Sequence, residues 1–440
     1  MSNENTPDGF NPDDFAKFLQ ELLSGNGNVN AEDLARIAGL PNDPLVIQAL
    51  LKQLQQAITQ GESQTVAGVN WTVASQQAVS AAHEGSVAVS DGVKIAIDEA
   101  SRIATLWLDQ ATSLSGLANE PKLVTREVWV QDALPLFQEL AGPIAERVAN
   151  ALSENLEQNL PSELEGLAQG AKGIMRSAGG ALFAMQLGSA LGKLSHEVLT
   201  GGDIGLPFYA ESRAAFIPQN LRQFIADNAL AEDQAFIYLA VREFAHARLF
   251  RHSRWLREAV INQLTNYAAG INIDGEAMSE LASSITPENA EALKNALESG
   301  ALLSERTEDQ IAALSSIETL LALIEGWVAV VTEESTKLLP TAATLDEVLR
   351  RRRATSSPAQ ATFATLVGLE LRPRRNREAA AFWRTLTERI GIEARDAVWD
   401  HPDLLPTSED IDNVDAYLAR IQAGEDSMDQ ALRELLDGDQ

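Results

Sequence analysis

Apolar residues recur every three to four positions along most of the chain, which is the period of an amphipathic α-helix. Between 92 and 112, for example, Val93, Ile97, Ala100 and Ala104 share one face, and most of the charged residues lie on the other. The same period predicts further helices over 30–39, 45–58, 122–158, 163–199, 218–228, 232–268, 276–283, 287–299, 306–337, 344–352, 358–371, 375–391 and 412–435. The chain is therefore predicted to be mainly α.

A strand pattern is nearly absent from the sequence. The exception lies within 205–218, where Gly205 and Pro218 bracket the brief apolar run Ala214–Ile217. Such a run is too short for a helix and favours a short strand or an irregular edge. Because the segment precedes the helical pattern that starts at 232, we expect at most a small β element before that helix.

Composition divides the chain into five predicted regions. Residues 1–30 are rich in Asn, Asp, Gly and Pro, which favours a mobile tail with one short helix. Residues 31–200 are predicted to form an N-terminal helical region, and residues 201–345 a central core. An arginine-rich helical region is expected over 346–423, followed by an acidic helical end over 424–440.

The longest candidate for a membrane span is the apolar run Ile174–Leu191, which Arg176 and Gln186 interrupt. It is barely long enough to cross hydrocarbon, so we interpret it as a buried helix. Gly188 and Gly192 would let a second helix approach it closely. The first residues lack the basic and apolar segments of a signal peptide, and zero cysteines suit a reducing compartment. We therefore expect a cytoplasmic protein that does not enter a membrane.

The net charge of the chain argues against some classes of binding partner. The formal net charge is −29 and the isoelectric point is about 4.5. A field of this sign repels nucleic acid and anionic membranes, so neither is expected as a partner. The segment Arg350–Arg395 differs, because its eleven arginines and four glutamates give it a local charge of +7. Either this segment docks on the acidic body of its own protein, or it binds phosphate or a partner.

Without cysteine, a metal ion would have to be held by histidine, aspartate or glutamate, and the chain has five histidines. A structural role is favoured for four of them. His196 is followed by a glutamate, but Thr200 occupies the position that a second histidine ligand would need. These four are His83, His196, His252 and His401.

The fifth histidine, His246, lies in the segment REFAH. Residues four apart on a helix share a face, so the two histidines of an HExxH motif hold one zinc while the glutamate between them polarises its water. Here Arg242, Glu243 and His246 occupy those three positions. A guanidinium has no free lone pair and cannot ligate a cation. From the residues alone, Glu243 and His246 are either a hydrogen-bonded pair or part of a metal site.

The amino-acid sequence as a whole contains seven distinctive segments in a fixed order. They are QLGSALGKLSHEV (186–198), DIGLP (203–207), VREFAHARLFRHSRWLR (241–257), LALIEGWVAVV (321–331), LRRRRA (349–354), FATLVGLELRPRRNREAAAFW (363–383) and RDAVWDHPDLLP (395–406). Together they resemble an actinobacterial zincin-like family of zinc-dependent metalloproteases and hydrolases, in a branch with RExxH in place of HExxH. Relatives in that family include proteins associated with deazaflavin-coenzyme biosynthesis. The resemblance covers nearly the whole chain beyond the N-terminal tail.

The resemblance implies a mainly α, zincin-like helical fold in which the REFAH helix is the active-site helix. It implies that Glu243 is the general base, His246 a zinc ligand and Glu325 the third ligand. Zinc is accordingly the implied cofactor. Relatives with an intact HExxH resemble this chain around LIEGW but have Glu-Gly-His there, so Trp327 is counted as a further pocket residue.

Two hypotheses about function follow. Under the first, the chain is a metal-assisted hydrolase of peptide or amide bonds with a degenerate metal motif, in which Glu243 activates water. Under the second, it is a pseudoenzyme, a non-catalytic zincin-fold scaffold that binds a protein or peptide partner or a small anionic ligand. In the second hypothesis Arg242 replaces the cation in the pocket and pairs with Glu243 or Glu325.

Overall fold

The structure, a computed structural model, describes residues 69–159, 180, 183–206, 213–270, 306–354 and 375–423. Contacts divide the chain into two compact units. One comprises 1–70, 145–183 and 272–304, and the other, which contains the site described below, comprises 71–144, 184–271 and 305–440. The five predicted regions stay a prediction. Predictions that lie outside the described residues are the tail over 1–30, the acidic end over 424–440, and the helices over 30–39, 45–58, 276–283, 287–299 and 358–371.

Helices dominate the described residues, which confirms the mainly α prediction. They are α1 (Trp71–His83), α2 (Asp91–Ala111), α3 (Arg126–Asn159), α4 (183–195), α5 (Pro218–Asp227), α6 (Glu232–His252), α7 (Arg254–Ala269), α8 (Glu308–Ser335), α9 (Ala342–Ala354), α10 (Asn376–Ala397) and α11 (414–423). Short 3₁₀ turns lie at Pro402–Leu404 and Asp410–Asp412.

The sequence pattern misplaced three helix features. The single helix predicted over 232–268 is wrong, because α6 ends before Ser253 and α7 begins after it. The hydroxyl of Ser253 donates to the backbone oxygen of Trp399 at 2.6 Å, which fixes the break. Helix α1 was not predicted, although its buried face has helical spacing. Helix α10 continues beyond the predicted end at Gly391, where it kinks at a φ of 82°.

A two-stranded parallel sheet precedes α6. Strand β1 (Lys122–Leu123) pairs with β2 (Ala215–Phe216), and β2 lies inside the segment where a short strand was predicted. The other edge of β2 is also paired, because Gly201 N donates to Ala215 O at 2.9 Å and Ile217 N donates to Leu199 O at 3.0 Å. These bonds anchor the loop 199–206 beside the sheet.

Two long helices, α6 and α8, carry most of the residues of the candidate site. Helix α6 carries Glu232 and Asp233 in its first turn and Arg251 and His252 in its last, charges that complement the helix dipole. It packs against α2, α5, α8 and α9. Helix α8 begins with a capping box, in which Thr307 and Gln310 hydrogen-bond each other's backbone N–H groups.

By length and composition α8 could cross a membrane, but 67% of its most apolar window is buried inside the protein. One such helix among the described residues is weak evidence for a membrane span, because a buried core helix passes the same test. Helix α8 approaches α10 closely at Gly326, where an added Cβ would lie 2.8 Å from the Cβ of Ala379. The two helices therefore form one packed layer behind the site.

Close packing also confirms the prediction for the glycines of α4. A Cβ at Gly188 would lie 2.5 Å from the backbone oxygen of Ala74, and a Cβ at Gly192 would lie 2.4 Å from the Cβ of Ala81. Leu187 and Leu191 are fully buried. The described part of the apolar run Ile174–Leu191 is thus a buried helix against α1.

A buried carboxylate, Asp396, joins distant parts of the chain. It accepts hydrogen bonds from Thr112 Oγ1 at 2.6 Å, Ser113 N at 2.8 Å, Trp327 Nε1 at 2.9 Å and Arg395 Nε at 2.7 Å. The ion pair with Arg395 is almost completely buried. Because several donors satisfy the charge, the group serves as a structural node below the site.

Candidate functional site

A small cavity lies where α6, α8, α9 and the loop 199–206 meet. Its volume open to the centre of a water molecule is about 10 Å³, which is enough for about one water molecule. The residues that line it are Leu199, Thr200, Gly202, Asp203, Leu239, Arg242, Glu243, His246, Glu325, Val328 and Leu349. Arg242 and His246 are one helical turn apart, so both face the same cavity.

The carboxylate of Glu325 lies between two arginines. Arg242 Nη2 and Arg353 Nη1 both donate to its Oε2 atom. Burial by itself raises the pKa of Glu325, but the guanidinium groups of Arg353 and Arg242 hold it below its ordinary value. Glu325 is therefore ionised at neutral pH and has two cationic partners.

Arg352, the neighbour of Arg353 on α9, binds a different carboxylate. Its Nη1 and Nη2 atoms donate to the two oxygens of Asp203 at 3.0 Å and 2.9 Å, a bidentate pair. Asp203 also accepts from Leu199 N at 2.9 Å. The last turn of α9 is thereby fixed to the loop 199–206.

Glu243 points toward backbone donors on the sheet side of the cavity. Its Oε2 accepts from Gly202 N at 2.8 Å, its Oε1 accepts from Ala215 N at 2.9 Å, and the hydroxyl of Thr200 adds a further hydrogen bond. Burial raises the pKa of Glu243 to about 7, although these hydrogen bonds lower it. The side chain therefore links α6 to β2 and to the loop.

His246 is buried against the loop and the next turn of α6. A Cβ added at Gly202 would lie 2.5 Å from its Nδ1 atom, so glycine is needed where the loop passes the imidazole. The ring centroid lies 4.7 Å from that of Phe250. Burial lowers the pKa of His246 to about 4, which keeps the ring neutral at pH 7. Its Nε2 atom has no hydrogen-bond partner among the described residues.

The donor set does not fit a zinc ion. A catalytic zinc site has three protein ligands, whereas His246 and Glu325 are the two implied ligands present. The other carboxylates that line the cavity are already engaged, Glu243 by backbone N–H groups and Asp203 by Arg352. Within the described ranges, no group of three or more His, Cys, Asp or Glu side chains is placed to hold a metal. One carboxylate oxygen of Glu325, Oε2, is already occupied by the guanidinium groups of Arg242 and Arg353.

Four of the five residues singled out from the sequence come together. Arg242, Glu243, His246 and Glu325 all line the cavity, and of the two partners suggested for Arg242 the structure selects Glu325. Trp327 does not line it, because its ring is fully buried on the other side of α8 beside Asp396.

Sequence reasoning missed the contributions of Asp203, Arg352 and Arg353. The segments that carry these residues, DIGLP and LRRRRA, were both among the seven on which the family resemblance rests. That resemblance was the signal that could have pointed to them. What the sequence lacked was the position of α9, which brings two of its four consecutive arginines to carboxylates that line the cavity.

The other histidines have structural partners. His83 contacts Glu127 at 2.8 Å, His252 contacts Asp400 at 2.6 Å, and His401 accepts from Asp403 N at 3.3 Å. His196 lies 2.8 Å from both Arg126 Nη1 and the backbone oxygen of Ala81.

Carboxylates of the same chain neutralise most of the positive charge of the segment Arg350–Arg395. Of the nine arginines of this segment that the structure describes, eight form ion pairs with carboxylates of the same chain. Five of these carboxylates lie on other elements, which favours docking on the protein's own acidic body over a patch for phosphate. The pairs are Arg350–Asp346, Arg351–Glu347, Arg352–Asp203, Arg353–Glu325, Arg375–Asp412, Arg384–Glu333, Arg389–Asp415 and Arg395–Asp396.

Comparison with known proteins gives two findings. A family model described as zincin-like metallopeptidase matches residues 69–418. A crystal structure from Chloroflexus aurantiacus, described provisionally as a hydrolase with a novel fold, is similar at a TM-score of 0.55 and 20% sequence identity. The match covers 80% of this chain and 99% of that one, and at this identity it shows the fold alone. No curated protein matches the chain.

Proposed function

Because the chain belongs to the zincin-like metallopeptidase family, we propose that it keeps the fold of a metallopeptidase but acts by binding rather than by zinc-dependent hydrolysis. One observation carries the proposal. The guanidinium of Arg242, at the position of the first metal ligand, is paired with Glu325, at the position of the third.

The electrostatics of this pair oppose a metal ion. Arg242 is permanently protonated, and its side chain is only 13% exposed. A divalent cation about 4 Å from a guanidinium, at an effective dielectric constant of about 20, experiences a repulsion of about 8 kcal/mol. Two protein ligands do not offset such a cost, since structural zinc sites with four ligands reach only about 10 to 16 kcal/mol.

The hydrogen bonds of Glu243 support a structural role for the residue at the general-base position. Both of its oxygens accept from backbone N–H groups, of Gly202 and Ala215, that belong to the loop and to β2. A carboxylate engaged in this way holds α6 to the sheet. It is not poised to take a proton from water in the cavity.

A second candidate function, metal-assisted hydrolysis of peptide or amide bonds, is favoured by two other observations. Burial raises the pKa of Glu243 to about 7, the range that suits a general base. The Nε2 atom of His246, the atom with which such a histidine would bind a cation, has no hydrogen-bond partner among the described residues. This candidate would require Arg242 to leave Glu325.

Metal analysis separates the two functions. We expect the protein purified without chelators to contain less than about 0.1 zinc per chain, because two ligands do not complete a site. We also expect no hydrolysis of a mixed peptide library, with or without added zinc. The matched control is His246→Ala, which should not change the metal content. One zinc per chain that is lost in His246→Ala would overturn the proposal in favour of hydrolysis.

The class of partner is also a proposal. The net charge of −29 supports a protein or peptide partner over nucleic acid. The self-paired arginine-rich segment supports a surface elsewhere on the chain for that partner. A cytoplasmic location, supported by the absence of cysteine, completes the proposal.

A further inference from the structure

We infer that Arg353 is a second determinant that keeps divalent metal out of the site, acting together with Arg242. This inference rests on the proposed function, because it explains how a site without metal is maintained. It assigns a role to a residue outside the RExxH segment. Restoring the histidine at position 242 would then not be sufficient to restore a metal site.

The first argument is the sharing of one atom. Arg242 and Arg353 approach Glu325 from two different helices, α6 and α9, and both donate to the same oxygen, Oε2. An ionised carboxylate binds a metal through the oxygen that faces it. While either arginine remains on Oε2, a metal must compete with a guanidinium for that oxygen.

The second argument is charge. Two guanidinium groups carry +2 together, which equals the charge of a zinc ion. Removing Arg242 alone leaves the guanidinium of Arg353 on Glu325, so an incoming dication would still meet a like charge at that oxygen. Removing both arginines leaves a buried carboxylate with no cationic partner at its Oε2 atom.

The third argument is the placement of the Arg353 side chain. Its neighbour Arg352 is fixed in a bidentate pair with Asp203, and Arg353 Nη2 lies 3.5 Å from the backbone oxygen of the same aspartate. The last turn of α9 is thus fixed to the loop, and this anchoring aims Arg353 at Glu325. The side chain of Arg353 is 26% exposed, so it can be replaced without emptying the core.

A zinc titration of three variants tests the inference. Arg242→His supplies a third ligand but leaves Arg353 in place, whereas Arg242→His/Arg353→Gln also frees the Glu325 oxygen. We expect the double variant to bind zinc at least about 100-fold more tightly than Arg242→His, measured by competition with a chromophoric chelator. The matched control is Arg242→His/Arg351→Gln, which removes an exposed arginine of the same helix that pairs with Glu347, and its zinc affinity should equal that of Arg242→His.

The outcomes distinguish this inference from the proposed function. Equal zinc affinity in Arg242→His and the Arg353 double variant would overturn the inference and leave the proposed function standing. Zinc bound stoichiometrically by the wild-type protein would instead overturn the proposed function. Arg242→His/Arg353→Met keeps more of the aliphatic packing and repeats the measurement if the glutamine variant does not fold. Absence of zinc binding in a folded double variant also overturns the inference.

Discussion

Replacing Glu325 with glutamine removes the negative charge that Arg242 and Arg353 share. The side chains of Glu325 and Arg242 are only 9% and 13% exposed, so the substitution leaves a largely buried guanidinium without a counterion. Breaking a buried ion pair from one side costs about 3 to 5 kcal/mol. Arg353 is more exposed and keeps a contact with Asp203. We therefore expect Glu325→Gln to lower the free energy of unfolding by about 3 kcal/mol, the lower end of that range.

The same geometry predicts an asymmetry between the partners. Arg242→Met leaves Glu325 paired with Arg353, so no charge is stranded, and the loss should be about 1 to 2 kcal/mol. Glu333→Gln is the matched control, because Glu333 lies on the same helix and forms an exposed pair with Arg384. An exposed pair of this kind contributes less than about 1 kcal/mol.

Urea-induced unfolding, followed by the fluorescence of the seven tryptophans, measures these differences without adding salt that would screen the charges. The reasoning is refuted if Glu325→Gln lies within about 1 kcal/mol of Glu333→Gln. It is also refuted if Arg242→Met costs as much as Glu325→Gln, because the two arginines would then not share the carboxylate.

Two further predictions concern the loop and the buried glutamate. Gly202→Ala places a Cβ 2.5 Å from the Nδ1 atom of His246, so overpacking should lower the free energy of unfolding by about 1 to 3 kcal/mol. Gly92→Ala is the control, because its Cβ would lie in open space and should cause no such loss. Equal stabilities of the two variants in urea would contradict the close packing at Gly202. Burial raises the pKa of Glu243 to about 7 from 4.5, so this group favours the folded state below pH 4.5 and loses that contribution as pH rises through 7. Relative to Glu243→Gln, the wild type should lose about 3 kcal/mol of its free energy of unfolding between pH 4.5 and 7. His246, whose pKa is lowered to about 4, makes both proteins more stable as the pH rises, so its effect cancels in the comparison. A difference between the two proteins that is constant with pH would show that Glu243 does not titrate in this range.

The helices were predictable where large apolar residues mark their period. Helix α1 escaped prediction because its buried face consists mainly of Ala74, Ala78 and Ala82, whose small side chains give little contrast with the polar face. The break at Ser253 escaped because the apolar period continues through it. It is set by the bond to Trp399, a contact over 146 residues that no local pattern contains.

Some residues of the site could also be predicted from the sequence, whereas others depend on how distant helices pack. The common face of Arg242 and His246 follows from helical spacing, and the place of Glu325 followed from the resemblance to a family. Arg353 could not be found in this way. In the run of four arginines, Arg350 and Arg351 pair with carboxylates one turn back on α9, while the next two pair with carboxylates that line the cavity. Only the packing of α9 on α6 distinguishes them.

The buried node at Asp396 has a consequence for how the chain matures during synthesis. Thr112 and its partner Asp396 are 284 residues apart, so at about 5 to 20 residues per second the ribosome needs about 15 to 60 seconds to produce the second after the first. Throughout that interval the end of α2 lacks its acceptor, and the indole of Trp327 lacks it while the last 69 residues before Asp396 are made. A nascent chain arrested before that aspartate would expose this unfinished interior to chaperones and proteases.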